Sequence, residues 1–324
     1  MRKFVWGCIL ILVGSAAQAD EIAVRAKAVP LNPDDPAQIR VDAVEFVAGL
    51  ELTSPAPEWG GYSGMVMSSD GSSIVAVSDV GHWLSLELTH DAAGKLTGVG
   101  AARTAPLLDE AGKPVSGKEW SDAEAIAAAP GNSLIVAFER NHRLWRYAAP
   151  EGIPDGPAQP VEAPADIKTL PENSGIETLV VDGQGRITAI AESGSPDGAG
   201  RGWTQRESAW VPFALERSDG FEATDATIAD DKSLILLERR YTEKDGPAAR
   251  ISLLPRTFDG PVAGYTLAVL RLPLSVDNFE DVAIQPAPDG GRYIYLLSDN
   301  NQNPQQRTLL LQFRLPPAGP ASTP

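Results

Sequence analysis

Apolar residues in this chain come in short runs, not in a helical stripe. The clearest case is residues 173–194, NSGIETLVVDGQGRITAIAESG, where two such runs flank the turn DGQG. Runs of Val, Ile and Leu broken by Gly and Asp are strand and hairpin signals. Four other stretches share the design: GGYSGMVMSSDGSSIVAVSDVG from Gly60, WSDAEAIAAAPGNSLIVAFERN from Trp120, ATDATIADDKSLILLERRY from Ala223, and DNFEDVAIQPAPDGGRYIYLLSDNN from Asp277. Each has a small or acidic head, an apolar run, a turn, a second β-rich run and a closing acid. The heads fall at Ser63, Glu124, Glu177, Asp225 and Glu280, so the steps are 61, 53, 48 and 55 residues. No stretch combines a long 3.6-residue period with helix caps, which predicts almost no helix.

A repeat of this length is too long for a helical pair and suits a four-stranded propeller blade. Third strands follow most hairpins, as HWLSLEL, HRLWRYA, RISLLPRTF and TLLLQFRL, and YTLAVLRL reads as a fourth. The expected fold is therefore all-β, a β-propeller of five or six four-stranded blades, with room for a degenerate sixth in 83–119 or 141–172. The last unit stops after its third strand, and residues 39–52, IRVDAVEFVAGLEL, are strand-like. That N-terminal strand is expected to close the last blade and remove an open edge. A β-sandwich with chance similarity between hairpins is the competing architecture. The expected divisions are a signal peptide at 1–19, an N-terminal lead at 20–38, the propeller domain at 39–316 and a Pro-rich tail at 317–324.

The acids change the picture most. In a propeller the first strand of each blade lines the channel and the second runs back, so heads and closing acids meet at one rim. The pairs Glu124 with Glu139, Glu177 with Glu192, Asp225 with Glu238, and Glu280 with Asp299 each centre on a turn, to within a residue or two. Ser63 pairs with Asp79 in the same way. Like charges facing each other across a hairpin repel, so a counter-charge is expected. One option is Ca²⁺, a hard cation taking 6–8 oxygen ligands, held by Asp79, Glu124, Glu139, Glu177, Glu192, Glu238, Glu280 and Asp299. The asparagines Asn173, Asn278, Asn300 and Asn301 offer further oxygens. The other is arginine: Arg140, Arg239 and Arg240 directly follow closing acids, and Arg307 follows SDNNQNPQQ. The plain alternative is that each acid pairs with an arginine or a backbone amide and only fixes a joint between blades.

Composition narrows the setting. The first residues carry Arg2 and Lys3, then the apolar FVWGCILILVG, then the small-residue pattern Ala17-Gln18-Ala19. This reads as an export signal cut after Ala19, placing the protein in a periplasm or outside the cell. The one cysteine, Cys8, lies inside that segment, so the mature chain has no disulfide or thiolate chemistry. No later stretch resembles a membrane span. The net charge of −16, or −18 without Arg2 and Lys3, argues against nucleic acid as a partner.

Other chemistry is thin. Gly61-Tyr62-Ser63-Gly64-Met65 misses the Gly-x-Ser-x-Gly elbow, so Ser63 reads as a strand start. The histidines His82, His90 and His142 lack metal-ligand spacing. His82 and His142 both sit three residues past a closing acid, where a general base can reach the rim, although ordinary loop positions explain them as well. Glu177 and Glu192 complete the catalytic candidates. Arg140, Arg201, Arg239 and Arg307 are candidates for holding a phosphate or carboxylate. The Gly-rich stretch 193–210, SGSPDGAGRGWTQRESAW, reads either as a loop covering the mouth or as a plain connector.

Together the blocks GGYSGM…AVSDVG, SDAEAIA…FERN, NSGIETL…AIAES, LILLERR and DNFEDVAI…LLSDNNQNPQQRTLLLQF resemble the phytase-like family, described by an esterase-like activity of phytase. The resemblance spans about residues 60–315, and its last block is the most specific. It implies a β-propeller and an ester or phosphoester hydrolase. β-Propeller phytases bind calcium through acids at the channel mouth and hold phosphate with basic residues. The expectation is an exported, cation-dependent hydrolase of phosphate or carboxylic esters, acting on a small molecule as a monomer. A non-catalytic binding propeller and a lactone hydrolase are the alternatives.

Overall fold

The continuous apolar runs follow from burial on both faces. In Ser133–Phe138, Leu134, Val136 and Phe138 face one neighbouring sheet while Ile135 and Ala137 face the next. A strand sandwiched in this way has no polar face to alternate with. The computed structural model describes residues 19–150, 152–194, 198–207 and 209–317. Most of the expected signal segment, including Cys8, and most of the Pro-rich tail lie outside these.

Five sheets are arranged as a five-bladed propeller. From the inner strand outward, blade one is Tyr62–Met67, Ser73–Ser78, His82–His90 and Leu96–Pro106. Blade two is Ala123–Ala129, Ser133–Phe138, Arg143–Ala148 and Gln159–Val161. Blade three is Ile176–Val181, Ile187–Gly194, Gly200–Arg206 and Ala209–Leu215. Blade four is Glu222–Asp230, Ser233–Thr242, Gly246–Pro255 and Tyr265–Arg271. Blade five is Asn278–Pro286, Arg292–Asp299 and Thr308–Leu315, with Val44–Thr53 antiparallel to the last of these through Thr308↔Leu52 and Leu310↔Leu50. Asp20–Ile22 adds to the outer edge of blade one, and Arg25–Ala28 pairs with Val44–Thr53. Each inner strand touches the next, from blade one round to blade five and back to blade one.

The core is divided among the joints between blades. One apolar cluster lies at each, as with Trp83, Phe138, Trp145 and Tyr147 between blades one and two. Another joins Phe213, Leu236 and Phe258 between three and four. The helices among the described residues are one turn at Lys118–Ser121 and a 3-10 turn at Ile167–Thr169.

Five blades settle the open count. Residues 83–119 and 141–172 hold the outer strands of blades one and two with their connections, not a sixth sheet. The stretch 193–210 is also different from the loop reading. Residues 200–206 form the third strand of blade three, registered from Gly200↔Leu215 to Arg206↔Ala209. Glycine hid it: a Cβ on Gly202 would lie 2.3 Å from the Phe213 ring, so close packing replaces the apolar side chain that signals a strand.

A one-residue irregularity recurs in all five hairpins and sets the mouth. Each inner strand has a β-bulge near its start, at Ser63, Glu124, Glu177, Thr224 and Glu280. A bulge places two residues opposite one and re-aims the extra side chain. Glu177 therefore does not face Glu192 in the ladder. The pairing goes from Ile176↔Ala191 to Thr178↔Ile190, and the Glu192 amide donates to the Gly175 carbonyl.

Candidate functional site

The bulges define equivalent positions. The bulged residues are Ser63, Glu124, Glu177, Thr224 and Glu280. One residue past each paired partner stand Asp79, Glu139, Glu192, Arg239 and Asp299. Blade four is the exception, with threonine and arginine where its neighbours carry acids or Ser63. Asp225 and Glu238, read from sequence as its head and closing acid, sit one position off.

Glu238 points away from the mouth. It accepts from Arg250 Nε at 2.7 Å and Ser252 Oγ at 2.9 Å in a buried pair between strands two and three of blade four. Asp225 accepts the amides of Ala226 and Val282, both at 2.8 Å, tying blade four to blade five. Burial raises its carboxyl well above the usual range, against those two amides. Asp281, the equivalent residue on blade five, is fully buried and neither of its oxygens has a hydrogen-bond partner. Burial, then Asp225 and Glu280, push its carboxyl well up.

Arg239 is the counter-charge for one side of the mouth. It donates to Glu192 at 2.9 Å, to Asn278 Oδ1 at 2.9 Å and to Glu280. Burial alone would lower its pKa, but Glu280, Glu177 and Glu192 together raise it. Glu280 remains raised by burial despite Arg239. Glu177 is buried beside them, and burial followed by Glu192 and Glu280 lifts it well above the carboxylate range.

The other side has a different composition. Asp122, Glu124 and Glu139 on blade two bring one carboxylate oxygen each within 4.8 Å of one another, a group able to hold a metal ion. Asp122 is fully buried and pairs with Arg140 Nε at 2.6 Å and with Lys118. Lys118 also reaches Asp79 at 2.7 Å, so the helical turn at 118–121 clasps blades one and two. Glu139 Oε2 accepts the Gly175 amide at 3.2 Å. Gly175 is required there, since a Cβ would lie 2.6 Å from the Glu139 Cβ. Burial and then Asp122 push Glu139 up to about 7. Burial, Glu177 and Glu139 raise Glu124 well above its ordinary value. Asp299 is also pushed up to about 7, chiefly by burial. The donor set is hard oxygen, and two of its three acids have no ion-pair partner among the described residues, so it fits a cation such as Ca²⁺.

The remaining candidates scatter. Arg201 pairs with Asp166 and lies over Trp203, and Arg307 pairs with Asp277 at 3.1 Å within blade five, so both are already engaged. His142 is buried, with Nε2 at 3.2 Å from the Pro171 carbonyl, and His82 is held by Ser78. Ser63 is buried and donates to the Gly61 carbonyl at 3.3 Å. Sequence reasoning missed Asp122 and Lys118. The acidic Trp120-Ser121-Asp122-Ala123-Glu124 pattern held the signal for Asp122.

Below the mouth the channel is lined mainly by apolar side chains. A cavity of about 160 Å³ is lined by Met65, Ile126, Leu179, Ala226 and Val282, one from each inner strand. The chain is thus a five-bladed β-propeller with a cluster of buried acids and arginine at one mouth of its channel. Residues 57–302 match the phytase-like family, described as esterase-like activity of phytase, and the protein belongs to that family. Among solved structures, a putative gluconolactonase is similar at 12% identity with a TM-score of 0.42, covering 89% of this chain and 92% of that one. A luciferin-regenerating enzyme is similar at 13% identity and TM-score 0.39, covering 81% and 94%. A search of curated proteins finds no match.

Proposed function

We propose that the protein is an exported hydrolase of small phosphate or carboxylic esters, dependent on a cation at the channel mouth. The observation carrying this is the asymmetry of the mouth. Arg239 neutralises the Glu192–Glu280 side, while Glu124 and Glu139 stay unpaired around Asp122.

Asp122, Glu124 and Glu139 would hold the ion, and bound there it would supply Lewis-acid stabilisation of a developing oxyanion and an activated water. Lys118 and Arg140 fix Asp122 in place. Glu177, whose carboxyl is raised well above the usual range by burial and its acidic neighbours, is the group placed to give a proton to the departing oxygen. Glu139, pushed up to about 7 in the ion-free site, has to lose its proton before it can hold the ion.

The test is a panel of p-nitrophenyl esters and phosphates with Ca²⁺ and after chelation. Chelation is expected to lower both turnover and melting temperature, and Glu139→Gln to lower turnover by about 10-fold or more through weaker ion binding. Turnover untouched by chelator and by this substitution would overturn the proposal. No turnover on any substrate, with Ca²⁺ still raising the melting temperature, would favour a binding propeller.

A further inference from the structure

Beside the mouth, at the joint of blades four and five, lies a polar cavity of about 800 Å³. Its wall includes Arg239, Arg240, Tyr241, Asn278, Gln305 and Gln306. Arg239 is already committed to Glu192, Glu280 and Asn278. Arg240 is not. Its guanidinium lies 4.8 Å over the Phe221 ring, and its Nη1 donates to the Asp219 carbonyl at 2.9 Å. Its Nε is buried without an acceptor, and among the described residues no carboxylate lies within ion-pairing distance of it.

Arg143 shares this stacking and an unmet Nε, but of the two only Arg240 lines this cavity. The cavity's own acids do not compensate Arg240, since Glu222 pairs with Arg217 and Asp277 with Arg307. A half-buried guanidinium with no carboxylate partner is an uncompensated charge, which favours an arriving anion. Arginine's planar fork matches carboxylate and phosphate oxygens. The amides of Gln305 and Gln306 add neutral donors on the same wall, and Tyr241, 73% exposed, stands at the lip.

We propose that this cavity is an oxyanion-binding subsite, in which Arg240 receives a carboxylate or phosphate group of a small molecule. Blade two lies across the five-membered ring from the joint of blades four and five. Resting on the hydrolase reading, the subsite would anchor one end of an anionic ester while its reacting bond faces Glu124 and Glu139. Specificity would then favour esters with a second, anionic group.

The test uses the full chain in chelator, so that no turnover and no metal is needed. Inorganic phosphate and succinate are titrated separately by calorimetry and thermal shift. At least one is expected to bind, and the one that binds identifies the group. Arg240→Gln is expected to weaken binding at least tenfold, Arg240→Lys to keep part of it, and Arg25→Gln, on the outer edge of blade five, to bind like the parent. Failure of both anions to bind, or equal binding by Arg240→Gln, overturns the subsite. Binding without any ester hydrolysis would instead leave the subsite standing and remove the hydrolase reading.

Discussion

Replacing Arg239 by glutamine perturbs the mouth at its one equivalent position that is cationic. Arg239 holds Glu192 and Glu280, with the three side chains 31%, 18% and 9% exposed. Removing one partner of a buried pair costs about 3–5 kcal/mol. The remaining water contact places this pair near the lower end, at about 3 kcal/mol. At about 2–4 °C per kcal/mol for a domain of this size, Tm should fall by roughly 6–12 °C at pH 8. The loss should depend on pH with a definite sign. Glu177 and Glu280 already have raised values, and loss of Arg239 raises them further. The folded variant then binds protons that the unfolded chain has released, so its stability falls as pH rises and returns as pH drops toward the ordinary carboxylate range. Differential scanning calorimetry from pH 4.5 to 8 reads this directly, with the loss at pH 4.5 expected at about half or less of that at pH 8. A loss below about 1 kcal/mol, or one equal at both ends, would refute the claim that Arg239 neutralises this side.

Two further substitutions probe the joints. Asp281→Asn should raise Tm at pH 8 and change it little at pH 4, because the buried carboxyl has a raised pKa and destabilises the fold as pH climbs through its titration; a lower Tm at pH 8 would show that a partner compensates the charge. Gly64→Ala should lower stability by about 1–3 kcal/mol in denaturant titration, since its Cβ would lie 2.9 Å from the Ile126 amide nitrogen across the blade one–two joint; an unchanged midpoint would mean the joint can open without loss.

The propeller was legible because each hairpin repeats an apolar run, a turn and an acid at a usable period. Its five inner and five second strands lie where those runs fall. The register was not legible. A bulge inserts one residue without any mark in composition, so Asp225 and Glu238 looked like blade four's pair when the bulge places Thr224 and Arg239 there. That single step hid the distribution of charge, in which arginine serves one side of the mouth and carboxylates crowd the other. Strand Gly200–Arg206 was hidden for a packing reason, because glycine at 200 and 202 makes room for Leu215 and Phe213. Asp122 was missed because it precedes the inner strand and enters the cluster through the short helical turn before it.

The central claim is that the blade-two carboxylates bind a cation at the mouth. Calorimetric titration of Ca²⁺ into chelator-stripped protein at pH 6 and pH 8 tests it most directly, with Glu139→Gln and Glu238→Gln in parallel. Because Glu139 is pushed up to about 7, protons compete for the site below that pH. The account predicts one site, tighter at pH 8 than at pH 6, weakened strongly by Glu139→Gln and unchanged by Glu238→Gln. No heat of binding at pH 8, or equal affinity in the parent and Glu139→Gln, would contradict it.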